Sequence, residues 1–183
     1  MELKVVAFAG SLKKNSCNKF ILNIIYNKIQ VNNVDITMID LARYDFPNFN
    51  QDVEDTSGMP PKVQEFKRAI HAANAIIIAS PEYNGSFSGI LKNAMDWASR
   101  KLDPSEGFTA SFRGKPVGIV SASPGRLGGL RGLYHLRDLL INLGCIVMPE
   151  MLAIEEAQDI NAEKEAKLEA FAMNFVHFGQ KLI

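Results

Sequence analysis

Apolar residues recur along the chain in two alternating rhythms. "LKVVAFA" (3–9) is a short strand-like run, while "CNKFILNIIYNKI" (17–29) sets Phe20, Ile21, Ile24, Ile25 and Ile29 at helical spacing. "VDITMID" (34–40) alternates, with Val34, Ile36 and Met38 on one face. "PKVQEFKRAIHAA" (61–73) returns to the helical period, and Pro61 suits its first turn. "AIIIAS" (75–80) reads as a buried strand, and the stretch from Ile90, through Leu91, Ala94, Met95 and Ala98, as an amphipathic helix. "KPVGIVSAS" (115–123), "LRGLYHLRDLLINLG" (130–144), "CIVMP" (145–149) and "AEKEAKLEAFAMNFVHFGQ" (162–180) complete the series. Gly144 is placed to stop its helix, and Leu168, Phe171, Phe175 and Phe178 form a stripe on the last one. Strands alternating with helices in this way predict an α/β fold: a five-stranded parallel sheet with helices on both faces.

Two connections are longer than such folds usually need. Residues 41–60, "LARYDFPNFNQDVEDTSGMP", show no clear periodicity, and neither do residues 101–114, "KLDPSEGFTASFRG". Segments of this kind serve as lids, partner surfaces or disordered excursions.

Composition narrows the class without naming a function. A chain of 183 residues predicts one domain, 1–183, with a sizeable core. Twenty basic residues balance twenty acidic ones, which argues against a nucleic-acid binder or a binder of anionic membranes. No apolar run approaches the roughly 20 residues of a spanning helix, and "MELKVVAFAGS" does not resemble a secretory signal. Cys17 and Cys145 make neither a disulfide framework nor a metal cluster, so the expected compartment is the cytoplasm.

In an open parallel sheet, ligands sit beyond the carboxyl ends of the strands, near the point where strand order reverses. That picks out "GSLKKNSCN" (10–18), "PEYNGS" (81–86) and "SASPGRLGG" (121–129), all rich in Gly, Ser and Asn. The first loop has neither G-x-G-x-x-G nor G-K-[ST]. It offers Ser11, Ser16, Asn18 and the charge of Lys13 at a helix start, where backbone N–H groups and the macrodipole favour an anion. Taken alone, an ordinary N-cap at Ser16 and a solvated Lys13 explain it more simply. Cys17 has no arginine near it before Arg43, which leaves it without an activating neighbour and makes it a small helix-start residue.

The second loop suits a flat ligand with polar edges. Gly85 admits close backbone approach, Tyr83 offers a ring face, Asn84 offers an amide, and Glu82 either caps the following helix or lines a pocket. A Pro-initiated turn whose Tyr83 packs on the neighbouring helix accounts for it equally. Ser121, Ser123, Pro124 and Gly125 could wall one side of a ring, although a plain Gly-rich crossover explains that loop more simply when it is taken alone. His71, His135 and His177 show no metal spacing, and no G-x-S-x-G elbow is present.

With the three loops assembled, the sequence resembles the NADPH-dependent FMN reductase family, flavodoxin-like quinone, azo-dye and chromate reductases included. The matching stretches are "GSLKKNSCN", "SPEYNGSFSGILKNAMDWASR" and "SASPGRLGGLRGLYHLRDLLINLGCIVMPE", spread over residues 10 to 150. The resemblance implies a flavodoxin-like three-layer sandwich with strand order 2-1-3-4-5. It implies that Ser11, Lys13, Ser16 and Asn18 hold the FMN phosphate. Pro81, Glu82, Tyr83, Asn84 and Gly85 would embrace the isoalloxazine ring, with Ser121 and Ser123 flanking the flavin.

The implied reaction carries hydride from NADPH or NADH, by way of FMN, to a small-molecule electron acceptor in a ping-pong cycle. The acceptor would be a quinone, a free flavin, an azo or nitro compound or a metal oxyanion, and no side chain is required as a catalytic acid. A homodimer or homotetramer is implied too, with "FPNFNQD" (46–52) approaching the partner's flavin and the helices near Gly89 and Leu130 at the interface. Lys13 stands where the family usually has arginine, and Ser88 where proline is common. Lys14, Arg100, Lys101, Arg113 and Arg126 are candidate contacts for a 2′-phosphate. Two rival readings are a flavodoxin-type electron carrier, disfavoured by the neutral charge, and a binding module without flavin, which the intact loops oppose.

Overall fold

The structure is a computed structural model, and it describes residues 2–32 and 34–183. In chain order the elements are β1 (Lys4–Ala9), α1 (Cys17–Gln30), β2 (Asp35–Ile39), α2 (Gln51–Ser57), α3 (Pro61–Ala72), β3 (Ala75–Ala79), β4 (Glu82–Tyr83), β5 (Ser86–Phe87), α4 (Gly89–Ala98), β6 (Pro116–Ala122), α5 (Leu130–Asn142), β7 (Ile146–Val147), β8 (Leu152–Ile154) and α6 (Ala162–Leu182). The main sheet is parallel and runs β2-β1-β3-β6-β7, the strand order expected.

Alternation along the strands divides the core between two faces. Val6, Phe8, Ile76, Ile78, Val117 and Ile119 meet the apolar sides of α3, α4 and α5. Val5, Ala7, Ala9, Ala75, Ile77 and Ala79 point the other way, toward α1 and α6. Every residue of β3 and β6 is buried, as continuous apolar runs require when helices cover both faces. The small residues on the α1/α6 face let those helices come close. At Gly118 an added Cβ would lie 2.7 Å from the Phe175 ring, so glycine here makes room for α6.

Three features depart from the pattern-based expectation. The fifth strand is not one piece over 145–149. β7 pairs with Pro116–Val117, and β8 takes the same edge of β6 further along, opposite Val120–Ala122. Pro149 between them has no N–H to give the ladder, which ends the first piece. The long 41–60 segment contains a helix, α2, capped by the Asn50 side chain on Asp52 N–H at 2.9 Å. No residue of α2 is buried, so no apolar period announced it. And the turn after β3 is a two-stranded hairpin, β4–β5, separate from the main sheet.

Candidate functional site

The carboxyl ends of β1, β3 and β6 lie side by side, and hydrogen bonds fix the loops that leave them. Gly10 N–H donates to the Ala79 carbonyl at 2.8 Å, and Ser80 N–H donates to that of Val120 at 2.9 Å. Ser88, the N-cap of α4, donates its hydroxyl to the Gly10 carbonyl. Serine therefore does what proline could not at this position, since it caps one element and ties down another. The buried Asn18 spends both ends of its amide on Ala122: Nδ2 donates to the carbonyl at 2.9 Å, and Oδ1 accepts from the N–H at 3.0 Å. It joins the start of α1 to the end of β6.

The loop between β1 and α1 has most of its donors to spare. Ser11 is buried and its Oγ accepts from Lys13 N–H at 3.3 Å, while Ser16 caps α1 by accepting from Lys19 N–H at 3.4 Å. The N–H groups of Leu12, Lys14, Asn15 and Cys17 reach no acceptor among the described residues. No acidic residue sits in the first turn of α1, and Lys13 is exposed. Lys19, on the next turn, pairs with Asp40 at 2.7 Å and pins α1 to the end of β2. A cleft of 470 Å³ adjoins this loop, lined by Lys14, Asn15, Ser16 and Cys17 with Phe20 and Gln158. Unspent donors, positive charge and a helix start are the features that an anion would need there.

The hairpin carries the motif Pro81 to Gly85. Asn84 and Gly85 both have positive φ, 52° and 80°, as a two-residue type I′ turn demands. An added Cβ on Gly85 would meet no protein atom within 4 Å. The glycine answers the backbone angle, and the space beside it is open. Tyr83 is 55% exposed, so more than half of it faces solvent.

Glu82 does not cap the following helix α4, which has Ser88. Its carboxylate reaches instead to the first turn of α5. One oxygen accepts from Arg131 Nε at 2.8 Å and from Arg131 Nη2, and the other accepts from Gly132 N–H at 3.1 Å. Burial pushes the Glu82 pKa up, but the Arg131 guanidinium and the Gly132 N–H more than offset it, so the carboxyl stays below its ordinary value. His135 Nδ1 lies 3.1 Å from Ser86 Oγ on the second strand of the hairpin.

The third loop is packed under the first turn of α5. Ser121 is fully buried, with no partner for its Oγ among the described residues. A Cβ on Gly129, at φ 90°, would fall 1.9 Å from that hydroxyl and 3.5 Å from Glu82 Cβ. Only glycine lets Ser121, Glu82 and α5 meet. Ser123 is half-buried, and its Oγ accepts from Gly125 N–H at 3.1 Å.

Of the candidate phosphate contacts, Arg100 is engaged elsewhere. Its Nε pairs with Glu54 at 2.8 Å, and its guanidinium lies between the rings of Phe49 and Phe108. Arg113 adjoins Gly144, at the opposite end of the sheet. Lys101 stands over Phe108, so only Lys14 and Arg126 belong to the three loops. The 46–52 segment is laid along α4, where the Pro47 carbonyl accepts from Trp97 Nε1 at 2.8 Å and from Asn93 Nδ2 at 2.9 Å. No group of three or more His, Cys, Asp and Glu forms a metal site among the described residues.

Sequence reasoning missed Arg131, Gly132, Gly129 and His135. A signal was present: α5 begins after Gly129, which has no side chain to cap it, so its first N–H groups need an acceptor from elsewhere.

Comparisons with known proteins give the family. The chain is 41% identical over 142 residues to a NAD(P)H-dependent FMN reductase of Pseudomonas aeruginosa, covering 78% of this chain and 71% of the relative. It is 37% identical over 153 residues to a quinone reductase of Escherichia coli, covering 82% and 77%. Among solved structures, the flavoenzyme NAD(P)H:(acceptor) oxidoreductase of Paracoccus denitrificans superposes with a TM-score of 0.81 at 29% identity, over 98% of both chains. The family model described as NADPH-dependent FMN reductase matches residues 3–159, and the chain belongs to that family.

Proposed function

We propose that the protein is an FMN-dependent NAD(P)H oxidoreductase that reduces quinones and related small acceptors, and that it works in the cytoplasm as a homodimer or homotetramer. Relatives at 37–41% identity support the activity. The observation that carries the cofactor assignment is the loop before α1, with its unpartnered N–H groups, its lysine and the lack of acid in the first helical turn. Those donors fit a dianionic phosphate, for which a helix start is a ready acceptor site.

In this reading Ser11, Lys13 and Ser16 hold the phosphate end. Asn18 joins them with the second N–H of its amide, the first being donated to the Ala122 carbonyl. Pro81, Glu82, Tyr83, Asn84 and Gly85 form the wall for the ring, with the exposed Tyr83 as an apolar face and the turn amides as donors. Ser123 borders the ring from the third loop, and Ser121 shapes that loop from beneath. FMN held there would supply the redox chemistry, hydride transfer between a nicotinamide and the acceptor. The protein would orient both molecules over one face and offer N–H donors where negative charge develops. No side chain has to deliver a proton.

The visible spectrum tests this directly. The purified protein is expected to hold FMN and to bleach within seconds of anaerobic NADPH addition. A protein that stays colourless after FMN is supplied would overturn the assignment. Sedimentation of the loaded protein reports the assembly state.

A further inference from the structure

The hairpin has no seat on the main sheet, and what holds it is the first turn of α5. Gly132 brings that helix against the hairpin backbone, since a Cβ there would lie 3.2 Å from Ser86 C and 3.3 Å from Phe87 N. Glu82 supplies the acceptor that Gly129 cannot, closing on Gly132 N–H, and Arg131 closes on Glu82 from the solvent side. The two partners differ sharply in exposure: the Glu82 side chain is 8% exposed and that of Arg131 64%. A nearly buried carboxylate therefore stands in the ring-binding motif with its charge balanced from outside. His135 adds a second tie, to Ser86.

We infer that Glu82 and Arg131 form a clamp with two effects on the flavin site: it fixes the hairpin against α5, and it sets the net charge beside the ring. Both are positioning residues. The inference rests on the FMN assignment above. With Arg131 present, the motif is close to neutral toward a ring that gains negative charge on reduction. Without Arg131, Glu82 is left as a poorly hydrated anion, which disfavours the reduced ring. A carboxylate that merely capped a helix would have no such electrical consequence once neutralised.

A double-mutant cycle on the full-length protein separates the two effects. The variants are Arg131→Met, Glu82→Gln and the pair together, with Arg131→Lys as the conservative control. In the flavin-free protein, backbone hydrogen exchange over residues 82–87 is expected to rise about tenfold in Arg131→Met and in the double variant, and to stay near the wild-type rate in Arg131→Lys. In the loaded protein, Arg131→Met is expected to lose roughly tenfold in preference for the reduced flavin, a fall of about 30 mV for a two-electron couple. The double variant should return to near the wild-type potential, although its hairpin still exchanges fast. Unchanged potentials and unchanged exchange in Arg131→Met would overturn the clamp. A fall in potential that Glu82→Gln does not reverse would overturn its electrostatic half. Should the wild type bind no FMN, the function assigned above fails, and the exchange arm still decides whether Arg131 and Glu82 hold the hairpin.

Discussion

Lys67 and Lys115 at one end of the sheet and Lys13 at the other are treated in opposite ways. At the amino ends of the strands, Lys67 of α3 is almost completely buried, at 2% exposure, and its ammonium meets Glu106 at 2.8 Å and Ser111 Oγ at 2.9 Å. Nearby, Lys115 at the start of β6 donates to the carbonyls of Ile70 and His71, the open C-terminus of α3. At the carboxyl ends, Lys13 is exposed and makes no ion pair among the described residues. Around it backbone N–H groups go unused, whereas Lys67 and Lys115 are met by acceptors. A charge whose partners are all in the chain is architecture, and one left with spare donors around it is free for a ligand.

The largest test of that contrast is Lys67→Ala. It opens a cavity and strands Glu106, whose carboxyl is held below its ordinary value first by the hydrogen bond from Lys67. The Glu106 side chain is itself 23% exposed, so water meets part of the stranded charge, and the loss in urea unfolding is expected at the low end of the roughly 3–5 kcal/mol for a fully buried pair. Lys67→Met with Glu106→Gln should recover most of the loss, because no stranded charge remains. FMN affinity of the folded protein is expected to stay unchanged. A fall in affinity that tracks the loss of stability would show that the two ends do not act independently.

How much of this was legible in the sequence follows the same division. The main strands and helices were readable because each buries a periodic apolar face, and the crossovers between parallel strands leave little freedom. Lys67 was not, since a polar residue on an amphipathic helix reads as solvated until the segment covering it is known, and Glu106 and Ser111 come from the aperiodic 101–114. The α2 helix stayed hidden because Arg100, distant in sequence, holds it through Glu54. At the site, Ser16 and the start of α1 are local features and could be read. The Asn84-Gly85 pair marked a turn, and flanked by Tyr83 and Ser86 it also carried the signal of a type I′ hairpin. That the hairpin docks on α5 could not be read from either stretch alone, because Glu82 and Arg131 meet across 49 positions. The tie from Asn18 to Ala122 could not be read either, because the two are 104 residues apart.

A smaller effect is expected from Lys115. Burial pushes its pKa down to about 8, against 10.5 for a free lysine, with the Lys67 charge adding to the shift and Cys145 opposing it. Between those values the unfolded chain holds a proton that the folded chain has released, so this group makes stability rise with pH through the window from about 8 to 10.5. Cys145, pushed up to about 12 by burial, pulls the other way, so the quantity to follow is a difference. Wild type is expected to gain on Lys115→Met as pH climbs from 8 to 10.5, in paired denaturation curves. A constant difference would mean that Lys115 titrates as an exposed lysine, and the amino end would then be less closed than it looks.

Lys13 should give the smallest change in stability and the clearest change in binding. Among the described residues nothing pairs with its ammonium, so Lys13→Ala is expected to move the unfolding free energy by no more than about 0.5 kcal/mol. If the loop holds a phosphate, the same variant loses one charged contact there, which is worth about 1 kcal/mol at an exposed position, or roughly fivefold in the FMN dissociation constant. Riboflavin lacks the phosphate and should bind both forms alike. Added salt should weaken FMN binding to the wild type more than to the variant, since the interaction lost is a screened one. Lys13→Arg should bind FMN at least as tightly as wild type, because a planar fork can meet two phosphate oxygens where an ammonium is a point charge. Equal loss for FMN and riboflavin would place Lys13 beside the ring and leave the phosphate to the backbone donors alone. Fold and ligand would then divide within the loop itself, between side chains that shape it and N–H groups that bind.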